Sequence, residues 1–243
     1  MKAISWFTRY LIILSITAIT AKSNAQYDSI AVAILDSVSD KIGVLETCSF
    51  RFDSEFDISN SEYGLITHSE SGTVYLKGPD KMCIEKIGDK GNRKFFYDGK
   101  TYSLYSLDKN QYASGPATIS IIELIDSLSS YYGVEVPGAD IFYPDFVDNL
   151  LATSNNLVYL GIVKTEGEKC LHVAGTTDDI TYQFWIRTEM PGLPYKMSLV
   201  YINKPENPRY TIRFSDWKLN EEISDSTFEF SAPEGAIKIK LIK

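Results

Sequence analysis

Histidine occurs only twice in the 243 residues, as His68 and His172, and cysteine three times, as Cys48, Cys83 and Cys170. None of the five stands at a spacing that metal sites use, so no metal or cofactor is expected. The nucleophile elbow Gly-x-Ser-x-Gly, the zinc-protease motif His-Glu-x-x-His and the phosphate-binding glycine loop are missing too. With them go the residue sets that announce hydrolysis or phosphoryl transfer. Basic charge is in deficit: 24 Lys and Arg face 32 Asp and Glu, a net charge of −8 with His neutral. Such a surface repels nucleic acid and anionic lipid headgroups, which argues against a polyanion partner. Beyond residue 25, no apolar run approaches the ~20 residues a membrane-spanning helix needs. An odd cysteine count fits no complete disulfide framework. The three read as small buried hydrophobes, and a Cys48–Cys83 bond stays open if their strands are neighbours.

What the chain does have begins at its N-terminus. Lys2 and Arg9 form a positive n-region, Leu11 to Ile19 a short apolar core, and Ser23-Asn24-Ala25 a small-residue cleavage site. This is the pattern of a secretory signal peptide, residues 1–25, cleaved after Ala25. No cysteine lies near that site, so lipid attachment there is not expected. The excised segment holds three basic residues (Lys2, Arg9, Lys22) and no acid, leaving 21 basic against 32 acidic residues and a mature charge of −11. The mature chain, residues 26–243, is long enough for one domain with a sizeable core, and no Pro-, Gly- or Ser-rich linker divides it. Aromatic residues make up 13% of the sequence, a richness that points towards sheet and towards apolar surface a ligand can use.

Two helical patterns stand out. Ile30, Ile34, Val38, Ile42 and Leu45 recur at three- or four-residue spacing behind Asp28, a good N-cap. Ser120-Ile121-Ile122-Glu123 reads as a capping box, with Ile121, Leu124, Ile125 and Leu128 as one stripe and Gly133 as the stop. A third, short helix is expected from Pro144, presenting Phe146, Val147, Leu150 and Leu151. Most of the rest alternates. Cys48, Phe50, Phe52, Phe56 and Ile58 oppose Arg51, Asp53, Glu55 and Asp57. Tyr182-x-Phe184-x-Ile186, Tyr195-x-Met197-x-Leu199-x-Tyr201 and Tyr210-x-Ile212-x-Phe214 repeat the pattern. Trp217 and Leu219 fall out of phase with Phe214, which predicts a bulge near Ser215-Asp216. Asp98-Gly99 predicts a two-residue type I′ hairpin. The sum is a meander of about six strands, a helical excursion over roughly residues 117–153 and a second meander. Two amphipathic helices are the natural cover for so large an aromatic face.

The blocks Asn92-Arg93-Lys94-Phe95-Phe96-Tyr97-Asp98-Gly99-Lys100 with Tyr105, Val136-Pro137-Gly138-Ala139-Asp140, Phe184-Trp185-Ile186, Leu193-Pro194-Tyr195-Lys196 and Phe214-Ser215-Asp216-Trp217 resemble a known family in order and spacing. It is the predicted periplasmic family catalogued as domain of unknown function two thousand and ninety-two, and the resemblance covers roughly residues 28–240. The resemblance implies a LolA-like fold of the α+β class, a strongly curved antiparallel sheet forming an unclosed half-barrel with amphipathic helices over its concave face. It also implies a periplasmic location and likeness to lipoprotein carriers and sensors. It supplies no catalytic residues.

These readings give an expected hydrophobic site. Phe50, Phe52, Tyr97, Phe184, Met197, Tyr201 and Phe214 form its sheet side, and Leu124, Ile125 and Leu128 its lid. The expected ligand is a lipid, a lipoprotein acyl chain or another apolar molecule, held by a monomer without catalysis. The same residues would equally make a closed core. An envelope sensor or interaction module is the alternative, and a hydrolase whose site assembles only in the fold is a weaker one. Asp53, Glu55 and Asp57 read as a solvated face rather than a calcium site, His68 as an exposed strand residue and His172 as a structural one.

Overall fold

A computed structural model describes residues 26–132 and 139–240. The expected signal peptide, the stop at Gly133 and the block Val136-Pro137-Gly138 lie outside them. Strand β1 (Gln26–Tyr27) leads into helix α1 (Ser29–Gly43). The first meander runs through β2 (Thr47–Asn60), β3 (Gly64–Lys77), β4 (Lys81–Gly88), β5 (Arg93–Tyr97), β6 (Thr101–Ser106) and β7 (Gln111–Pro116). Helix α2 (Ile121–Tyr132), a 3-10 turn at Ala139–Phe142 and helix α3 (Phe146–Thr153) follow. The second meander is β8 (Asn156–Thr165), β9 (Glu168–Thr176), β10 (Ile180–Arg187), β11 (Pro194–Tyr201) and β12 (Arg209–Leu219). A last short strand, β13 (Ile237–Lys238), comes after it.

All the strands join one curved, unclosed sheet in the order β1-β8-β9-β10-β11-β12-β2-β3-β4-β5-β6-β7-β13. The pairing of β12 with β2 fuses the two meanders. Every pair is antiparallel except the two at the edges, where β1 on β8 and β13 on β7 run parallel. Because side chains alternate along a strand, register decides which residues share a face. It sets Phe50, Val74, Ile84, Phe95, Leu104 and Ala113 in one row across β2 to β7. Phe52, Phe214, Ile212, Met197, Phe184 and Val173 continue the same face across β12 to β9. The helices cover this concave face, and the main core lies between.

Asp28 caps α1 as expected, its Oδ1 accepting from the Ile30 N–H at 2.8 Å. The buried stripe, however, is Ala31, Leu35, Val38 and Ile42, while Ile30 is 55% exposed and Ile34 half-buried. Both phases satisfy a three-to-four repeat. Docking on β8 and α3 selects the one carrying Ala31, whose small side chain permits close approach. Helix α3 starts at Phe146 with Asp145 as its cap residue, so Pro144 precedes the helix rather than opening it.

The bulge falls where expected: the β12–β2 register shifts between Ser215 and Lys218, and Asp216 has φ +50°. This turns Trp217 onto the concave side, its ring 4.6 Å from that of Phe50. The hairpin at Asp98-Gly99 differs from expectation. Only Gly99 takes a positive φ, +86°, and Asp98 Oδ1 instead accepts the N–H groups of Lys100 and Thr101 at 2.9 and 2.7 Å. A side-chain acceptor organises the turn in place of a left-handed backbone. Cys48 and Cys83 cannot pair, because β3 separates their strands and they face opposite ways, Cys48 opposite Leu76 and Cys83 opposite Tyr75. All three cysteines are free and buried.

Candidate functional site

Between α2, the 3-10 turn and the wall of β2 to β6 lies a cavity of about 270 Å³. Its wall is the row Phe50, Val74, Ile84, Phe95 and Leu104, extended by Ile212 and Phe214 of β12. Its roof is Ile121, Ile125 and Leu128 of α2 with Phe142 and Tyr143. Phe142 stacks on Phe50 at 5.5 Å between centroids.

The roof helix is fixed at its start. Glu123 Oε2 accepts from the Ser120 N–H at 2.8 Å and the Ser120 hydroxyl from the Glu123 N–H at 3.2 Å, the reciprocal bonds of a capping box. The Ser120 N–H, joined by the Ser120 hydroxyl donating to the same oxygen at 2.8 Å, holds the Glu123 carboxyl below its ordinary range. Just before the cap, the buried Tyr97 hydroxyl donates to the Ile119 carbonyl and accepts from its N–H at 3.0 Å. Leu124 and Leu128 of α2 are buried, worth about 1.5–3 kcal/mol each by area. The Tyr143 hydroxyl donates to Asp126 Oδ1 at 2.9 Å and so joins α2 to the segment after the 3-10 turn. Burial, reinforced by Asp126, pushes the Tyr143 phenol well up.

One end of the cavity is polar. Lys86 and Arg93 face each other across β4 and β5, one step beyond Ile84 and Phe95 on the same face. Lys86 Nζ lies 2.8 Å from Glu70 Oε2, and the Ser54 hydroxyl donates to Glu70 Oε1 at 3.4 Å. Burial raises the Tyr210 phenol, which shares a hydrogen bond with Ser54. Arg93 donates to the Lys90 carbonyl at 3.5 Å and has no ion-pair partner among the described residues.

Of the ten residues expected to form the site, Phe50, Phe52, Phe214, Ile125 and Leu128 line this cavity. Tyr97 and Leu124 sit beside it in close packing with Met82. Phe184 and Met197 belong to the filled core farther along the sheet, where Phe146 of α3 meets Phe184 edge-on at 5.8 Å. Tyr201 is half-buried outside the cavity, with Lys204 Nζ 4.3 Å above its ring. The expected trough thus divides into an open part under α2 and a filled part under α1 and α3. Sequence reasoning missed Val74, Ile84, Phe95, Leu104, Phe142 and Tyr143, and the charged end altogether. The signal was there: Met82-x-Ile84-x-Lys86 and Arg93-x-Phe95-x-Tyr97 put both cations on the apolar face.

The other singled-out polar residues lie elsewhere. Asp57 accepts from the Thr67 hydroxyl at 2.6 Å and the Arg209 N–H at 2.9 Å. His68 Nδ1 is 3.0 Å from Asp89 Oδ2 and its side chain is largely covered, not exposed. His172 Nε2 is 3.0 Å from Gln183 Oε1, its ring stacked on Trp185. Among the described residues, no three His, Cys, Asp or Glu are grouped to hold a metal ion.

A family model described as "Predicted periplasmic protein (DUF2092)" matches residues 31–242. The chain belongs to this family. No functionally curated protein matches this DUF2092 member. Among solved structures it is similar to an uncharacterized conserved protein from Thermus thermophilus, at 12% identity and a TM-score of 0.50, covering 87% of this chain and 99% of that one. The lipoprotein LppX of Mycobacterium tuberculosis is similar at 17% identity and 0.48, over 81% and 98% of the two chains. A LolA superfamily protein from Nitrosomonas europaea is similar at 13% identity and 0.36, over 82% and 97%. The first of these likenesses shows a shared fold. Among the described residues, no helix is long and apolar enough to cross a membrane.

Proposed function

We propose that this DUF2092 protein is a non-catalytic periplasmic binder of a lipid, lipoprotein acyl chain or other hydrophobic ligand, held in the half-barrel beneath α2. In this reading residues 1–25 are removed after Ala25, and residues 26–243 act as one monomeric domain. The observation that carries it is the cavity of about 270 Å³ with a wall of aromatic and branched side chains. Ligand pockets have this make-up, apolar linings with a few placed polar groups. Fold likeness adds little, since one fold hosts many functions. The roof supports the reading more directly. Ile121, Ile125 and Leu128 of α2 face the aromatic wall across the open space, so an apolar chain would meet apolar groups on both sides.

The test is mass spectrometry of lipid extracted from protein purified from the periplasm without detergent. Co-purified acyl lipid at near-stoichiometric amount is expected. A protein that is consistently empty, and that also fails to bind fluorescent fatty acids, refutes the reading.

A further inference from the structure

Resting on the reading of the cavity as a ligand site, we infer that its natural class of occupant is a single-chain anionic amphiphile, a long-chain carboxylate whose head group is recognised by Arg93. The cavity is chemically graded along the strands. Successive same-face residues are about 6.8 Å apart on an antiparallel strand, so Lys86 and Arg93 stand one such step beyond Ile84 and Phe95. A chain lying under Ile121 and Ile125 therefore ends at this pair of cations.

Charge at this end has been settled internally for all groups but one. Glu70 is taken by Lys86 at 2.8 Å and by the Ser54 hydroxyl at 3.4 Å. Among the described residues, Arg93 holds only a long bond to the Lys90 carbonyl. One guanidinium is left over, and its planar fork matches a carboxylate through two parallel hydrogen bonds. This local excess of one positive charge sits on a protein of net charge −8, so it is not part of a general basic surface. The acidic exterior keeps the molecule off anionic membranes, while the cavity mouth attracts a single anionic head.

Size selects the rest of the ligand. About 270 Å³ lies just below the ~300–1,000 Å³ typical of ligand pockets, suited to one acyl chain rather than a two-chain phospholipid or a triacylated lipoprotein anchor. Gly72, paired with Phe52 and Lys86 on the same face, leaves room for the Phe52 ring at the cavity wall. A Cβ there would lie 2.7 Å from the Phe52 ring and 2.0 Å from the Glu85 carbonyl oxygen.

The test compares laurate with dodecanol, its neutral counterpart of equal chain length, by displacement of the fluorophore N-phenylnaphthylamine from the delipidated mature protein. Laurate is expected to bind about tenfold more tightly than dodecanol. Arg93→Gln is expected to abolish that preference and leave dodecanol affinity unchanged, and Arg93→Lys to restore part of it. Arg93 is exposed, so neither variant threatens folding. Equal binding of the two ligands, or a preference for laurate that survives Arg93→Gln, overturns the head-group assignment while leaving an apolar site intact. Failure of both ligands to bind overturns the cavity reading and this inference with it.

Discussion

Single residues carry much of the specification. Gly72 is paired with Phe52 and Lys86 on the concave face, and a Cβ there would collide with the Glu85 carbonyl oxygen, which cannot move aside cheaply. Gly72→Ala is therefore expected to destabilise the protein by about 3 kcal/mol, read as a lower urea midpoint in circular dichroism. The thiols make a second expectation. Burial pushes Cys48 and Cys83 up to about 12 and Cys170 up to about 11, so none supplies thiolate at neutral pH. A chromogenic disulfide reagent should find no reactive thiol in the native protein and three in urea. At this scale the sequence was legible where a rule is strict. The phase break after Phe214 located the bulge at Asp216, since two-residue alternation tolerates no drift. It was less legible at Lys86 and Arg93, because a charge in a strand reads first as a solvent-facing position. Only their register beside Ile84 and Phe95 shows that they share the concave face.

Elements depend on their ends and on distant partners. The capping box of α2 predicts that Ser120→Ala loses about 1 kcal/mol of stability, measurable by thermal unfolding. If α2 is the cover of a ligand site, the same variant should also release bound fatty acid faster in a stopped-flow measurement. On the outer face, Glu166 at the turn between β8 and β9 accepts from Arg213 at 2.8 Å, Lys196 at 2.9 Å and the Tyr195 hydroxyl at 3.2 Å. The guanidinium and ammonium hold its carboxyl down to about 2. A carboxyl depressed in the folded state stabilises above its unfolded value near 4.3 and loses that contribution as pH falls towards 2. Glu166→Gln should thus flatten the stability curve between about pH 4.5 and 2 and change little below it. Helix existence was readable from spacing, but the face of α1 was not. The repeat fits two phases, and the choice of Ala31 and Leu35 over Ile30 is made by β8 and α3, which lie over a hundred residues away.

For the whole molecule, the meander–helix–meander order was legible because short turns force neighbouring strands together. The junction of β12 with β2 was not, since nothing local encodes a pairing between residues as far apart as Tyr210 and Phe56. Nor was the last stretch of chain, which lacks any repeat. It crosses the outer face, where Asp225 meets Lys77 at 2.7 Å and Lys81 at 2.8 Å, and Phe230 packs against Phe96, Tyr105 and Tyr112. It ends as β13 on β7, just as β1 lies on β8, so short parallel strands occupy both margins of the sheet. Open strand margins invite pairing with other chains. Removing residues 236–243 is expected to uncover β7 and give concentration-dependent association, detected by light scattering, with little loss of secondary structure.

Trp217 has a practical consequence. Its indole packs near Phe50 of the wall and Phe142 of the roof, while Trp185 stacks on His172 on the opposite side of the sheet. If residues 1–25 are removed as proposed, Trp185→Phe leaves Trp217 as the one tryptophan, beside the cavity. If the cavity takes a ligand, that emission, excited selectively at the red edge, should shift as it fills, with no dye attached.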